Sequence, residues 1–364
     1  MAALEKQSLI TKVFKNTFLK KFTQWEYWPS YMFYIPNLPY ALYLTIKGHD
    51  LTLYSAVNPS IKNSGNGTES KYKTLELIPD LLKPKSVFVS KERNFDEIIK
   101  QLHQKGIDYP IIAKPDIGFK GLLVKKIYSD KELSTYLKTF PIDLILQEFI
   151  GLPNECGIFY HRLPNSDKGM VSSFTLKSFL SVKGDGISNL SELVLFDKRA
   201  QHYIEMLKRN HKKIWLSIPE KDQIILLSDI GNHARGTQFI NGNHLIDQKL
   251  TDMLDQLSGK IKGWYYGRLD VKYNTIEELK EGKKFIILEI NGTIAEATHM
   301  YDPYHTTYFK ALKTIRQHWK YLYKIAKQNL KNGVPSEKFT TYWKETYKLI
   351  RYVKKVKKLA KSTS

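Results

Sequence analysis

Two short apolar runs constrain this chain more than anything else in it, because each carries polar groups that a buried strand does not ordinarily hold. The first is Gly267-Arg268-Leu269-Asp270-Val271 and the second is Phe285-Ile286-Ile287-Leu288-Glu289-Ile290-Asn291-Gly292. Their β-branched and large apolar residues predict a buried strand in each case. Side chains two apart on a strand share a face, so Glu289 projects with Asn291, and Arg268 with Asp270. Asn274 and Gly282 bracket a polar connection, which lets the two strands pair as a hairpin. Two carboxylates and an amide then converge beside a guanidinium. An all-oxygen set of this kind suits magnesium that also holds phosphate oxygens. The plainer alternative is an acidic hairpin whose side chains satisfy one another.

With 364 residues the chain can bury a sizeable core, as two or three lobes rather than one. The net charge of +21 calls for an anionic partner: nucleic acid, a membrane surface or a phosphorylated substrate. Most of the excess is at the C-terminal end, where residues 302–364 hold 16 Lys and Arg against 3 Asp and Glu. Nucleic acid is disfavoured, because no recognisable reading motif accompanies the basic residues. The single cysteine, Cys156, excludes an internal disulfide and fits a reducing compartment. No apolar segment near the start reads as a secretory signal, so a cytoplasmic location is expected, with peripheral attachment at the inner face of a membrane as an option. No His/Cys cluster has metal-ligand spacing, and zinc is not expected.

Read in order, residues 4–25 form a basic amphipathic helix in which Leu9, Val13, Phe14 and Phe18 share one side. Residues 27–46 carry no charge, yet Pro29, Pro36 and Pro39 and the abundance of Tyr argue against a spanning helix. They are expected to be the packed start of an α/β lobe, with an interfacial membrane segment as the alternative. Strands are expected over 51–57 and 86–89, and a helix over 94–105. A strand over 109–114 ends in Lys114, and a glycine-bearing turn follows from Asp116 through Gly118 and Lys120 to Gly121 before the sheet resumes at 122–124. Backbone N–H groups of such a turn can close on phosphate oxygens. A helix at 130–139 leads to a strand ending in Gln147-Glu148-Phe149-Ile150, with Glu155 in a short loop beyond. Residues 171–182 are strand-like and contain Lys177; Lys183, a Gly-Asp-Gly turn and a helix start follow. The loop at 228–236 carries His233, read as a structural or weak polar contact, and Arg235, whose planar fork suits a carboxylate or a phosphoryl group. Glu296 could hold an incoming amine or pair with a nearby base. Two amphipathic helices, 307–331 and a second ending in Lys354, Lys355, Lys357, Lys358 and Lys361, read as an antiparallel hairpin with basic outer faces, suited to solvent or to anionic lipid.

This order and spacing resemble the ATP-grasp superfamily, which includes D-alanine–D-alanine ligase, glutathione synthetase and the cyanophycin synthetases. The resemblance runs from about residue 96 to about residue 300. Lys114 and residues 116–121 resemble that family's phosphate-covering flap, Gln147 to Ile150 its adenine-gripping hinge, and Glu155 its ribose-binding acid. Lys177, with Lys183 second, resembles the contact to the γ-phosphate, and Arg268, Asp270, Glu289 and Asn291 resemble the magnesium and triphosphate centre. The resemblance implies an α/β (α+β) fold with two lobes gripping ATP. An N-terminal α/β lobe over 1–95 would precede them, the ATP-grasp domain would cover 96–301 (96–146 and 147–301), and a basic helical hairpin would follow over 302–364. It implies an ADP-forming carboxylate–amine ligase using magnesium and ATP, with Lys177, Arg235 and Arg268 serving the transfer. The identities of acid and amine stay open, as do phosphorylation of a non-carboxylate and a catalytically degenerate protein that binds a membrane surface.

Overall fold

The structure, a computed structural model, describes residues 25–118, 121–228, 231 and 235–362. The basic helix expected over residues 4–25 lies almost wholly outside these residues, and Lys120 and His233 lie outside them as well. The mixed α/β class is as expected, and both main sheets are antiparallel throughout.

The N-terminal segment is helical. A single turn, α1 (Tyr31–Tyr34), leads to α2 (Leu38–Gly48), which has Pro39 in its first turn where a missing N–H costs nothing. Residues 53–56, read as strand, form a 3₁₀ turn whose Leu53 and Ala56 are fully buried. Continuous burial of a short apolar run does not distinguish the two conformations. A short helix, α3 (Lys71–Leu75), is capped by Ser70. Among the described residues before 86 there is no strand, which corrects the expectation of a separate N-terminal α/β lobe.

The small lobe starts at β1 (Ser86–Val89) and continues through α4 (Phe95–Gln104), β2 (Ile111–Pro115), β3 (Lys125–Ile127), α5 (Asp130–Thr139) and β4 (Leu144–Glu148). Its sheet runs β1-β4-β2-β3, so β1, assigned on sequence to the preceding lobe, is an edge strand here. The sheet resumes after the glycine turn at Lys125, not at Leu122. Gly121 and Leu123 both take positive φ and carry the chain around the corner.

The large lobe comprises β5 (Asn154–Arg162), β6 (Gly169–Ser178), β7 (Ser181–Lys183), α6 (Leu190–Phe196), α7 (Ile204–Asn210), β8 (Ile224–Leu226), β9 (Gln238–Asn241), α8 (Gln248–Lys260), β10 (Tyr266–Tyr273), α9 (Ile276–Lys280) and β11 (Phe285–Asn291). Its sheet runs β11-β10-β5-β6-β9, and one face buries Ile158, Leu269, Val271 and Ile287 against Leu250, Leu254 and Leu257 of α8. The strands β7 and β8 form a separate ribbon over α6 and α7.

The C-terminal helices are α10 (Tyr308–Lys331) and α11 (Phe339–Ser362), separated at Gly333. Their apolar faces go to different places. The α10 helix packs Leu322, Ile325 and Ala326 on Leu53 and Val57, whereas α11 sends Val356 into the small-lobe core, with Tyr352 and Leu359 packed on it. The pair is therefore less a self-packed hairpin than a strap from the helical segment to the small lobe. No helix among the described residues is long and apolar enough to cross a membrane.

One backbone crossing locks the helical segment to the large sheet. Gly65, at φ 79°, lies so close to Gly292 that a Cβ there would sit 2.6 Å from the Gly292 Cα. The N–H groups of Thr293 and Ile294 donate to the carbonyls of Ser64 and Gly65, at 3.0 and 3.1 Å. A methyl group on residue 292 would meet the Ser64 carbonyl at 2.2 Å. Gly292→Ala is expected to cost about 2–4 kcal/mol, read as a lower urea midpoint with the slope unchanged.

Candidate active site

The site begins with the pairing of β10 and β11, whose register sets Asp270 opposite Glu289 and Arg268 opposite Asn291. All four side chains leave the same face of the sheet, the face turned away from α8. The Arg268 guanidinium grips Asp270 with both arms, Nε to Oδ1 at 2.9 Å and Nη2 to Oδ2 at 3.2 Å. Asn291 Nδ2 donates to the same carboxylate at 3.3 Å. Gly157, paired with Asp270 on β5, leaves room for this stack: a Cβ there would lie 3.1 Å from the Arg268 side chain.

From β6, Lys177 reaches Glu155 at 2.7 Å and Asp270 at 3.4 Å, with its side chain only 4% exposed. Burial alone would lower the Lys177 pKa, but Asp270 and Glu155 outweigh it and hold the value above that of a free lysine. Burial likewise opposes the Asp270 charge, yet Arg268 and Lys177 hold its carboxyl far below the usual range.

The opposite wall comes from elements distant in sequence. Lys71, on α3, ion-pairs with Glu289, and burial pulls its pKa down. Its position depends on Asp116 at the end of β2, which accepts from Ser70 Oγ and from the Tyr72 N–H, both at 2.9 Å, so the small lobe anchors the start of α3. Lys114 donates to Gln147 Oε1 at 3.0 Å, and both side chains are buried. Burial, then the nearby Lys71 charge, bring Lys114 down to about 7.

These groups surround one cavity of about 820 Å³ between the two sheets, within the usual range for small-molecule sites. Gly118, Gly121, Glu148, Phe149 and Ile150 also line it. Its far end is aromatic, with Trp28, Tyr34, Tyr301 and Trp319 around Glu296. There Tyr34 and Tyr301 each donate a phenol O–H to one oxygen of the Glu296 carboxylate. Arg268 Nη1 donates to the Glu296 carbonyl at 3.1 Å and so joins the polar and aromatic compartments.

Some residues read from sequence are placed otherwise. Lys183 sits exposed on the β7–β8 ribbon, 2.6 Å from Asp222, and lines no part of the cavity. Arg235 is not in the cavity wall either; its Nη2 lies 3.4 Å from the Gly121 carbonyl, across the gap between the lobes. Glu155 belongs to β5 rather than to a loop, and its carboxylate is paired with Lys177 and approached closely by Gly231. Lys71, Tyr34 and Tyr301 were not read as site residues. Lys71 and Glu289 are 218 positions apart and Tyr34 and Glu296 are 262 apart, so no local pattern marks either pair.

Among the described residues no three His, Cys, Asp or Glu side chains gather as a metal site. Asp270, Glu289 and Asn291 do supply an all-oxygen donor set, which fits a hard dication sharing its coordination with phosphate oxygens.

No family model matches the chain, and no curated protein matches it. Among solved structures it resembles a bifunctional glutathione synthetase from Pasteurella multocida, at 15% identity over 67% of this chain and 36% of that one, TM-score 0.38. It also resembles the VanG D-Ala:D-Ser ligase from Enterococcus faecalis, at 14% identity over 71% and 61% of the two chains, TM-score 0.40. A third is the ATP-grasp ligase PsnB in complex with a minimal precursor, at 11% identity over 61% and 51%, TM-score 0.32. ATP-grasp ligases are thus among the structures this chain resembles, all distantly. The chain spans about a third of the first and less than two thirds of the second.

Truncating the central cation tests the charge array. Lys177→Met would leave Glu155 and Asp270 facing one another without it, and is expected to cost about 3–5 kcal/mol. The Lys177→Met/Glu155→Gln double variant is expected to regain part of that loss, as measured by urea unfolding.

Proposed function

We propose that the chain is an ATP-grasp ligase that uses magnesium and ATP to activate a carboxylate as an acyl phosphate and join it to an amine. The observation that carries this reading is the convergence of Lys71, Lys114, Lys177 and Arg268 with Asp270, Glu289 and Asn291 on one cavity between two antiparallel sheets. Four cations converge on this cavity; Lys71, Lys177 and Arg268 are paired with its carboxylates, whereas Lys114 is buried on the neutral amide of Gln147, and a triphosphate would supply the anionic charge that it lacks there. Asp270, Glu289 and Asn291 would hold magnesium, which when bound offsets phosphate charge and orients the transferring group. Lys114 and Lys177 approach from opposite sheets and would offset the rest. A carboxylate oxygen of the first substrate takes the terminal phosphoryl group and ADP leaves. The amine nitrogen then attacks the acyl carbon, phosphate departs, and the nitrogen loses a proton. No side-chain nucleophile is needed. The chain's part is alignment and preorganised charge.

The aromatic end of the cavity is the place for the amine. The Glu296 carboxylate there is already aimed by two phenols and retains lone pairs for an ammonium donor. Burial, then the Glu296 charge, raises the pKa values of both tyrosines, so they stay protonated donors across the working range.

The decisive measurement is thermal stability with and without magnesium–ATP, followed by ADP release with mixtures of acids and amines. At about a hundred times its dissociation constant the nucleotide adds about 2.7 kcal/mol to the wild type. Glu289→Gln is expected to lose that gain and the ADP release. A nucleotide-independent melting curve in the wild type would overturn the reading.

Lys114 sets the pH dependence of binding. With a pKa of about 7 in the free protein, it is largely charged below that pH and must take up a proton to meet phosphate above it. Nucleotide affinity is therefore expected to fall as pH rises above 7, approaching about tenfold per unit, with matching proton uptake in calorimetry. Lys114→Met should remove this uptake.

A further inference from the structure

The helical segment carries a second surface that the ligase reading does not use. Between residues 27 and 46 the chain has no charged side chain. The inner side of α2 buries Leu44 and Gly48, and Asn37 just before it bonds the Leu312 carbonyl of α10 at 3.3 Å. The outer side is apolar and uncovered: Tyr31, Ile35, Leu38, Leu42, Tyr43 and Ile46 are each more than half exposed. From Ile35 to Ile46 the spacing is 3, 4 and 4, one continuous stripe about 16 Å long at helical rise. Contiguous exposed apolar surface on this scale marks an interaction site, whereas single exposed residues do not.

What rims the stripe says what it meets. Lys47 closes α2, and α10 runs alongside: Arg316 Nε donates to Asn37 at 2.6 Å, and Tyr323 OH to the Lys47 carbonyl at 3.5 Å. Lys320 lies one turn from both contacts and so on the same side of α10, exposed. An apolar stripe with tyrosines among its members and cations along its edge matches the layering of a bilayer surface, acyl chains beneath anionic headgroups. A second copy of this chain fits less well, since an isologous contact would set one cationic rim against another.

We propose that the outer face of α1 and α2 docks on an anionic lipid bilayer, with Ile35, Leu38, Leu42 and Ile46 entering the interface and Lys47, Arg316 and Lys320 meeting headgroups. This attachment does not span the membrane. It also orients the molecule, because α1, whose Tyr31 faces the lipid, turns Tyr34 into the wall of the cavity.

The test is co-sedimentation of the full chain with vesicles of phosphatidylcholine alone and of phosphatidylcholine mixed with phosphatidylserine. The wild type should pellet with the mixed vesicles and far less with the neutral ones. Leu38→Ser/Leu42→Ser should abolish pelleting while lowering the melting temperature only slightly, since both side chains are more than half exposed. Lys47→Gln/Lys320→Gln, at about 1 kcal/mol per lysine near an anionic surface, should lower the partition about thirtyfold. Wild-type protein that stays in the supernatant with both vesicles overturns the proposal. So does apolar-variant protein that pellets like wild type, which would move the attachment to basic residues elsewhere. A solution dimer that the Leu38/Leu42 changes dissociate would also overturn it, by showing that a second copy covers the stripe.

Discussion

Asp270 is the charge on which the rest of the site depends. It lies in the middle of the large sheet, and a lone carboxylate there would take up a proton rather than stay ionised. Arg268 from its own strand and Lys177 from two strands away keep it charged, and Lys177 in turn holds Glu155. Each of these charges is tolerable only because the others are present, so the array behaves as a unit. The antiparallel order β10-β5-β6 brings the members within reach, and Gly157 on the strand between them gives the stack its room.

Such an array stabilises the fold less than an apolar core of the same volume would. What it provides is charge fixed in place before any ligand arrives. Lys71 and Lys114 show the complementary condition. Lys114 is buried and Lys71 partly so, and both are pulled toward neutrality by desolvation, Lys114 also by the Lys71 charge beside it. The large-lobe wall therefore holds settled ion pairs, while across the cavity Lys71 is paired with Glu289 and Lys114 is bonded to the neutral amide of Gln147. That asymmetry is why a polyanion entering between the sheets has more to gain from one wall than from the other.

The centre of this arrangement was legible from sequence because its information is local. Polar residues two apart in an apolar run must share a face, and a short polar connection between two such runs makes them pair. Asp270, Glu289, Arg268 and Asn291 follow from those two rules alone. The periodicity of 307–331 and of the helix after it was equally legible as helix. A stripe reports that a face is buried but not against what, so the passage of α11 to the small lobe was invisible. The 3₁₀ turn at Leu53 failed for a related reason: apolar residues in an unbroken run are buried in either conformation. Lys71 opens α3, but that its ammonium meets Glu289 depends on Asp116 holding α3 in place, a contact between positions far apart in the chain. Lys183 shows the reverse error, a lysine placed by its neighbours in sequence although the ribbon under it points elsewhere.

The glycine crossing at Gly65 and Gly292 connects these levels. It forms immediately beyond Asn291, so the segment that ends the metal-type donor set is also the one that ties the N-terminal helices to the sheet. The next few residues lead to Glu296, whose carboxylate is held by Tyr34 from α1 and Tyr301 from the turn before α10. One short stretch, Asn291 to Glu296, thus passes from the charged end of the cavity to its aromatic end while fixed to the helical segment at both. Movement of α1 and α2, by whatever surface they engage, would be felt first at Tyr34 and Glu296. The centre around Asp270, braced by three strands of one sheet, would be the last part to respond.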